Sequence, residues 1–364
     1  MAHAIGLDIG SYSIKVSFLK EKAGKYILQS IGVADISEEP IDTLEPEKKN
    51  VLIQETLKRL IVEAGIKSKD VAISLSGDQV IARYIKLPYM TREELKGVIR
   101  YEAEQYIPFP IEQVVLDFHI LSEVTDDGQK KIEVLLVAVK EDIVNYYIKL
   151  LEGVGLNTVL IDIDTMALHN SFDANYEKKE GETVAIINMG AKFTNLSLID
   201  EGVTRFSRDI PIGGIALTND IAREFNLGFS ESEKLKREHG GIIIESENVI
   251  LTRIPSKEDK KVRIYSCISN TLGKLVVEIR RAFDFYESSS KKRNIGRVFL
   301  CGGTAKLQNM DKFVAERLKI PVEMHNPFKG IEIEKKDDPA FIEKVKQYSS
   351  LLPVSIGLAV RKIK

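Results

Sequence analysis

The chain has 364 residues, 44% hydrophobic and 29% charged. At roughly 100–200 residues per domain this suits two or three soluble domains and excludes disordered, collagen-like and disulfide-stapled classes. Lys and Arg number 52 against 54 Asp and Glu, so no net field draws a polyanion and a nucleic-acid partner is not expected. Cys267, Cys301 and the five histidines match no zinc or redox spacing, which suits a reducing cytosol and no metal cage. No basic segment precedes the first apolar run, which Asp8 interrupts, so no secretory leader is predicted. The uncharged stretch from Ser349 to Val360 is broken by Pro353 and falls short of the about 20 residues that span a membrane. Membrane association is expected only through a partner.

In chain order, Ala4 to Leu19 predicts two antiparallel strands around the polar turn Gly10-Ser11-Tyr12-Ser13. Lys25 to Val33 reads as a third strand. Glu47 to Glu63 carries Val51, Leu52, Leu57, Leu60 and Ile61 at helical spacing, with Gly65 as a C-cap, and Val71 to Leu75 is a short buried strand. This order predicts an α/β core as a first domain, residues 1–85. Leu87-Pro88 marks a change of unit. Thr91-Arg92-Glu93-Glu94 is a capping box opening a helix that runs to about Tyr106, before Pro108 and Pro110. Strands over Val114–Leu121 and Lys131–Val139, a helix over Glu141–Leu151 and a strand over Val159–Ile163 follow. Residues 86–164 therefore read as an inserted α+β subdomain, with a return helix in 165–182.

A second α/β unit, 183–345, repeats the opening of the first, and residues 346–364 are expected to form a C-terminal connecting helix that packs back on the first domain. Ile5-Gly6-Leu7-Asp8-Ile9-Gly10 is matched by Ala185-Ile186-Ile187-Asn188-Met189-Gly190, each followed by a short polar turn and a returning strand. The spacing of 180 residues, from Asp8 to Asn188, is too long for a solenoid and signals domain duplication. Two facing hairpins with a ligand between them are expected.

Such turns suit phosphate. A glycine lets the backbone approach closely, and successive N–H groups form an anion nest. Ser11, Ser13 and Thr194 add hydroxyls, and Lys15 adds a point charge. Asp8 would repel phosphate directly but accepts hydrogen bonds from waters on magnesium. A Mg-nucleotide is therefore implied rather than bare phosphate, although one hairpin alone would be an ordinary glycine turn. Phe299-Leu300-Cys301-Gly302-Gly303-Thr304 adds a buried strand running into two glycines and a predicted helix, Lys306 to Leu318, a setting suited to a flat or anionic ligand. The aromatics between Val276 and Tyr286 sit at core-facing helical spacing. Lys291-Lys292-Arg293 reads as a solvated basic loop, and Cys301 as a small apolar filler.

With these motifs in order, the chain resembles the actin, heat-shock-protein-70 and sugar-kinase superfamily, whose fold is two duplicated ribonuclease-H-like α/β domains around a nucleotide cleft. Gly6 to Ser11 with Lys15 looks like its phosphate-1 motif, Ile187 to Ala191 with Thr194 like phosphate-2, and Phe299 to Ala305 like the adenosine motif. Ile163 to Leu168 and Leu352 to Ala359 stand where its two connecting helices stand. The inserted subdomain resembles the 1C subdomain of the bacterial division protein FtsA and of the type IV pilus assembly PilM family. Leu87-Pro88, Tyr101 to Phe109, Val115 to Phe118, Ile210-Pro211-Ile212-Gly213-Gly214 and Asn326-Pro327-Phe328 resemble the PilM family specifically.

The resemblance implies ATP or ADP with Mg2+. Asp8 (magnesium through water), Gly10, Ser11, Ser13 and Lys15 would hold the phosphates from one side. Asn188, Gly190, Ala191 and Thr194 would hold them from the other. Gly213 and Gly214 would lie near phosphates and ribose, and Gly302, Gly303 and Thr304 beside adenosine. Glu233 and Lys236 match a helix contacting ribose and base, although Glu231 to His239 equally suits a solvated charged face. Asn188 stands where relatives carry an acid and cannot act as a carboxylate base. Asp164 matches a water-orienting position, with Asp162 as a competing neighbour and a helix N-cap as the alternative role. Slow turnover at most is expected. The implied function is a cytoplasmic assembly platform for the type IV pilus inner-membrane complex. It would be held peripherally at the inner membrane by the cytoplasmic N-terminal tail of the single-span protein PilN, in a groove between the inserted subdomain and the first domain. Other pilus assembly proteins and self-association remain open. An FtsA-like filament-forming division protein and a small-molecule kinase are the alternatives.

Overall fold

A computed structural model describes residues 4–242, 260–289 and 294–361. In the first half, β1 (Ile5–Ile9), β2 (Ser13–Lys22) and β3 (Lys25–Asp35) form an antiparallel meander. Helix α1 (Pro46–Glu63) then returns the chain to β4 (Asp70–Leu75), parallel to β1. Ile5, Leu7, Ile14, Val16 and Ile73 bury one face of this sheet against Ile53, Leu57 and Leu60 of α1. Apolar side chains every second residue in the strands meet apolar side chains every three or four in the helix.

The inserted subdomain begins earlier than the sequence suggests. Strand β5 (Val80–Pro88) is part of it, followed by α2 (Arg92–Ala103), β6 (Val114–Asp126) and β7 (Gln129–Lys140), with sheet order β5-β7-β6. The capping box of α2 is present: the Glu94 N–H donates to Thr91 Oγ1 at 3.2 Å and the Thr91 N–H to Glu94 Oε2 at 2.7 Å. Leu95, Ile99 and Ala103 of α2 pack on Val134, Leu136 and Ala138 of β7.

The insertion also ends earlier, at Lys140 rather than Asp164. Helix α3 (Glu141–Glu152) belongs to the first domain, where Leu150 and Leu151 join its core and the Tyr146 hydroxyl donates to Asn50 at 2.6 Å. Strand β8 (Asn157–Ile163) pairs in parallel with β4. What decides membership is the hydrogen-bonding partner, which the spacing of apolar residues does not encode.

Helix α4 (Asp164–Asn175) leads into the second half, where β9 (Thr183–Met189), β10 (Thr194–Asp200) and β11 (Val203–Ile210) repeat the first meander. After α5 (Gly214–Phe225), α6 (Phe229–His239) and α7 (Lys260–Ser289), β12 (Ile295–Cys301) lies parallel to β9 as β4 does to β1. The helix predicted from Lys306 starts later, as α8 (Met310–Leu318), because a 3-10 turn at Thr304–Lys306 intervenes; β13 (Val322–Met324) completes the order β11-β10-β9-β12-β13. Phe283 and Tyr286 of α7 are core residues as expected, while Phe285 faces outward. Lys291-Lys292-Arg293 lies outside the described residues.

The chain recrosses to the first half well before residue 346. Strand β14 (Glu332–Ile333) pairs with β3, and Phe328, Ile331 and, from α9 (Pro339–Tyr348), Phe341 and Val345 pack on Leu19, Leu28 and Ile31. The first sheet thus has six strands, β14-β3-β2-β1-β4-β8. Helix α10 (Pro353–Ala359) and α4 lie between the two sheets, sharing a core with Ala72 on one side and Val184, Ile186 and Phe299 on the other. Their approach is close: a side-chain carbon at Gly357 would stand 1.7 Å from the Ala167 carbonyl oxygen, and one at Gly6 1.8 Å from that of Ser355. Only glycine fits at either position.

Candidate functional site: two facing turns and their supports

The two hairpin turns close in the same way. Gly10 N–H donates to the Ser13 carbonyl at 3.1 Å, and Gly190 N–H to the Phe193 carbonyl at 2.9 Å. Asp8 and Lys15 face each other in register across β1 and β2, and their charged ends pair at 3.2 Å with about 15% exposure each. A side-chain carbon on Gly10 would stand 2.7 Å from Lys15 Nζ, so the ammonium lies over the turn. Ser11 and Ser13 are partly exposed on it.

Several residues expected to touch ligand also hold the second turn in shape. The Gly190 carbonyl accepts from the Gly214 N–H at 3.0 Å and from Thr304 Oγ1 at 2.8 Å, and the Ala191 carbonyl accepts from the Ile215 N–H at 2.8 Å. Gly213 leaves no room for a side chain against Ala191. Thr194 is fully buried and donates its hydroxyl to the Ile212 carbonyl at 2.7 Å. Gly302 is buried, with its N–H on the Ser350 carbonyl at 2.6 Å, whereas Gly303 is exposed. The helix N-terminus predicted just after the glycines is displaced to Met310.

Glu233 and Lys236 are no solvated face. Both are only 8% exposed, and Lys236 Nζ reaches Glu233 Oε2 at 2.6 Å, Thr218 Oγ1 at 2.8 Å and the Gly214 carbonyl at 2.9 Å. Glu233 also accepts from Thr218 at 2.5 Å and from Arg237 Nε at 2.9 Å. Burial alone would raise the Glu233 carboxyl, but Lys236, Thr218 and Arg237 bring it below its ordinary value. Burial lowers Lys236. Their polar groups are spent on each other and on the first turn of α5, beside the second hairpin turn.

Asp164 is the first residue of α4, and Ile163 rather than Asp164 is the N-cap. The residue keeps some solvent contact, but protein encloses its carboxyl. Burial, then the charge of Asp8, push it up to about 7 against hydrogen bonds from the Ser74 and Ser76 hydroxyls, with Asp209 adding to the rise; the Ser74 bond is 2.6 Å. The structure therefore brings Asp8, Asp164 and Asp209 within electrostatic reach. Sequence reading missed Asp209, which stands one residue before the quoted Ile210–Gly214 motif and accepts from Asn195, the cross-strand neighbour of Asn188. Asp162 turns elsewhere and pairs with Arg361 at 3.2 Å.

The halves also meet directly. Arg237 pairs with Asp35 at 3.1 Å and lies 5.0 Å from the centre of the Tyr12 ring, Ser230 donates to Glu38 at 3.2 Å, and Lys192 pairs with Asp42 at 2.9 Å. A cavity of about 450 Å³ opens beside this contact rather than between the hairpins, with its lining, including Tyr12, Asp35, Glu38 and Arg59, drawn from the first half only.

Duplicated meanders, paired glycine turns and two helices between the sheets make this an actin-like α/β protein. The chain belongs to the family described as type IV pilus assembly protein PilM, whose model matches residues 6–263 and 266–363. It is similar over its whole length to a chain of a solved PilM-PilN type IV pilus biogenesis complex, with a TM-score of 0.82, 26% identity and coverage of 100% of this chain and 99% of that one. The ethanolamine utilization protein EutJ of Carboxydothermus hydrogenoformans shares the fold at TM-score 0.52 and 12% identity, covering 99% of this chain and 90% of that one. By sequence, the cell division protein FtsA of Staphylococcus epidermidis is 23% identical over 350 residues, covering 89% of this chain and 74% of the relative.

Proposed function

We propose that the chain is an assembly platform of the type IV pilus inner-membrane complex that binds the cytoplasmic N-terminal tail of a PilN-like single-span protein and holds Mg-ATP or Mg-ADP between its two turns. The observation that carries the partner is the full-length likeness to the chain of the PilM-PilN complex. Support for the nucleotide is the pair of identically closed turns, with Lys15 over one and Asp8 and Asp164 nearby. Among the described residues no three His, Cys, Asp or Glu converge as a metal cage. Magnesium would be held by phosphate oxygens and water, with Asp8 accepting from that water. The ion would neutralise phosphate charge. Lys15 and the turn amides would orient the phosphates, while Gly214, Thr304 and the Glu233–Lys236 pair keep the second turn in shape. Asn188 offers no carboxylate base where relatives carry an acid, and this supports slow turnover at most.

The peptide would lie between the insertion and the first domain; β6 and β8 are each an edge strand of their own sheet. An extended tail can add to such an edge through backbone hydrogen bonds. Val115, Asp117 and His119 are exposed along β6. Among the described residues no helix is long and apolar enough to cross a membrane, so attachment at the cytoplasmic face of the inner membrane would run through the partner's span. Fluorescence anisotropy with a labelled synthetic PilN-tail peptide tests the reading. Saturable binding is expected, and its absence overturns the partner assignment.

A further inference from the structure

Strand β8 carries a charge at the margin of an apolar core. Leu160 packs against the core shared with α4 and α10, and Asp162, two residues on and facing the same way, stands at its border with only 8% of its side chain exposed. Its Oδ1 accepts from the Ile163 N–H at 2.9 Å, whereas Oδ2 is buried and accepts no hydrogen bond among the described residues. Arg361, just beyond α10, brings Nε to 3.2 Å from Oδ2 without forming a hydrogen bond, and its own side chain is 45% exposed. Burial raises the Asp162 carboxyl above its ordinary value against the pull of Arg361 and the Ile163 amide. Four positions earlier on the same strand, Thr158 Oγ1 is likewise buried with no hydrogen bond among the described residues.

The insertion adds a second carboxylate. Asp117 on β6 contributes to the rise of Asp162, and His119 on the same strand is held below its ordinary value by burial, then by the charges of Arg92 and Arg361. An imidazole so held is neutral near pH 7 and offsets neither acid. Arg92 itself stands over the Phe118 ring, 5.7 Å from its centre. An extended segment lying between the two edge strands would pass both Asp117 and Asp162. A buried carboxylate with a spare acceptor is best satisfied by a guanidinium, whose N–H groups match its two oxygens. Arg361 supplies that group in poor alignment. With nearly half of its side chain already in water it loses little by leaving, and two like charges crowding one oxygen repel, so a second guanidinium would replace the first rather than join it.

We infer that Asp162 is the subsite for an arginine side chain of the docked tail, and that Arg361 holds its place until that guanidinium displaces it. Resting on the functional reading above, this gives the partner a required charge at one position and makes Arg361 a built-in competitor for the groove. A tail without that charge would leave Arg361 where it is and Oδ2 without a hydrogen bond.

The test titrates two labelled synthetic peptides with the full chain by fluorescence anisotropy: the PilN tail, and the same tail with every arginine replaced by citrulline, which keeps the shape and loses the charge. The natural chain should bind the citrulline peptide about tenfold or more weakly. Asp162→Asn keeps the side-chain volume and should abolish that preference, binding the two peptides within about twofold of each other. A purely structural role for Asp162 predicts instead an equal loss for both peptides, with the preference intact. Arg361→Gln should bind the arginine-bearing tail about threefold or more tightly than the natural chain does, because the competitor is gone. The comparison of peptides on the natural chain needs no altered protein, so it decides the inference even where a variant fails to fold. Equal binding of both peptides by the natural chain, a preference that survives Asp162→Asn, or no gain in Arg361→Gln overturns the inference and leaves the functional reading standing. Failure of the natural chain to bind either peptide overturns the functional reading and the inference with it.

Discussion

Replacing Asp164 with Asn removes one ionisable group from the cleft while keeping an acceptor for the Ser74 hydroxyl. In the native chain burial, then Asp8, raise this carboxyl from 3.8 to about 7. A carboxyl with a higher pKa folded than unfolded keeps its proton in the native state after the unfolded chain has lost it. Stability therefore falls as pH rises from about 4 to about 7. Below that window both states are protonated and the group costs nothing; above it both are ionised and the cost is complete. A shift of about three units at 1.36 kcal/mol each is on the order of 4 kcal/mol. Asp164→Asn cannot titrate, so it should exceed the natural chain in stability by up to about 4 kcal/mol at pH 8, and by little near pH 4.5. Urea unfolding at pH 4.5, 6 and 8 reads the difference. A gap that does not grow with pH, or a variant less stable at pH 8, would refute the reasoning.

Lys236→Met strands the buried Glu233 with only Thr218 and Arg237, and should cost about 3–5 kcal/mol in denaturant unfolding at neutral pH. Glu233→Gln with Lys236→Met should recover much of that loss; equal losses would show that the pair is not mutually required. Since Glu233 is held below its ordinary value, its contribution should fade as pH drops through the acid range. Gly357→Ala drives a methyl group into the Ala167 carbonyl and should cost on the order of 3 kcal/mol. Gly97→Ala in α2, where nothing lies within 4 Å of the added carbon, should gain about 0.5–1 kcal/mol. Thermal melts of the two side by side test whether glycine at 357 is a packing requirement, and similar shifts would deny it.

The duplicated turns were legible because glycine-containing hairpin turns are local: Gly10 and Ser13, or Gly190 and Phe193, sit three residues apart. The α2 capping box was legible for the same reason. Strand β5 was not, since its partner β7 lies more than 40 residues on and Leu87-Pro88 reads as a boundary rather than a strand end. The run from Asn157 to Ile163 reads as a strand from its residues, but only its pairing with β4 assigns it to the first domain. Thr194 and Thr304 carry hydroxyls where a phosphate ligand would want them, yet both donate to backbone carbonyls, which no spacing foretells. Asp209 acquires its meaning from cross-strand register with Asn195 and from a contact with Gly77 in the other half.

Calorimetric titration of Mg-ADP into the natural chain and Asp8→Ala tests the central claim most directly. One saturable, magnesium-dependent site is predicted in the natural chain, with that binding lost in Asp8→Ala. Equal affinity in both proteins would contradict the placement of the nucleotide between the two turns.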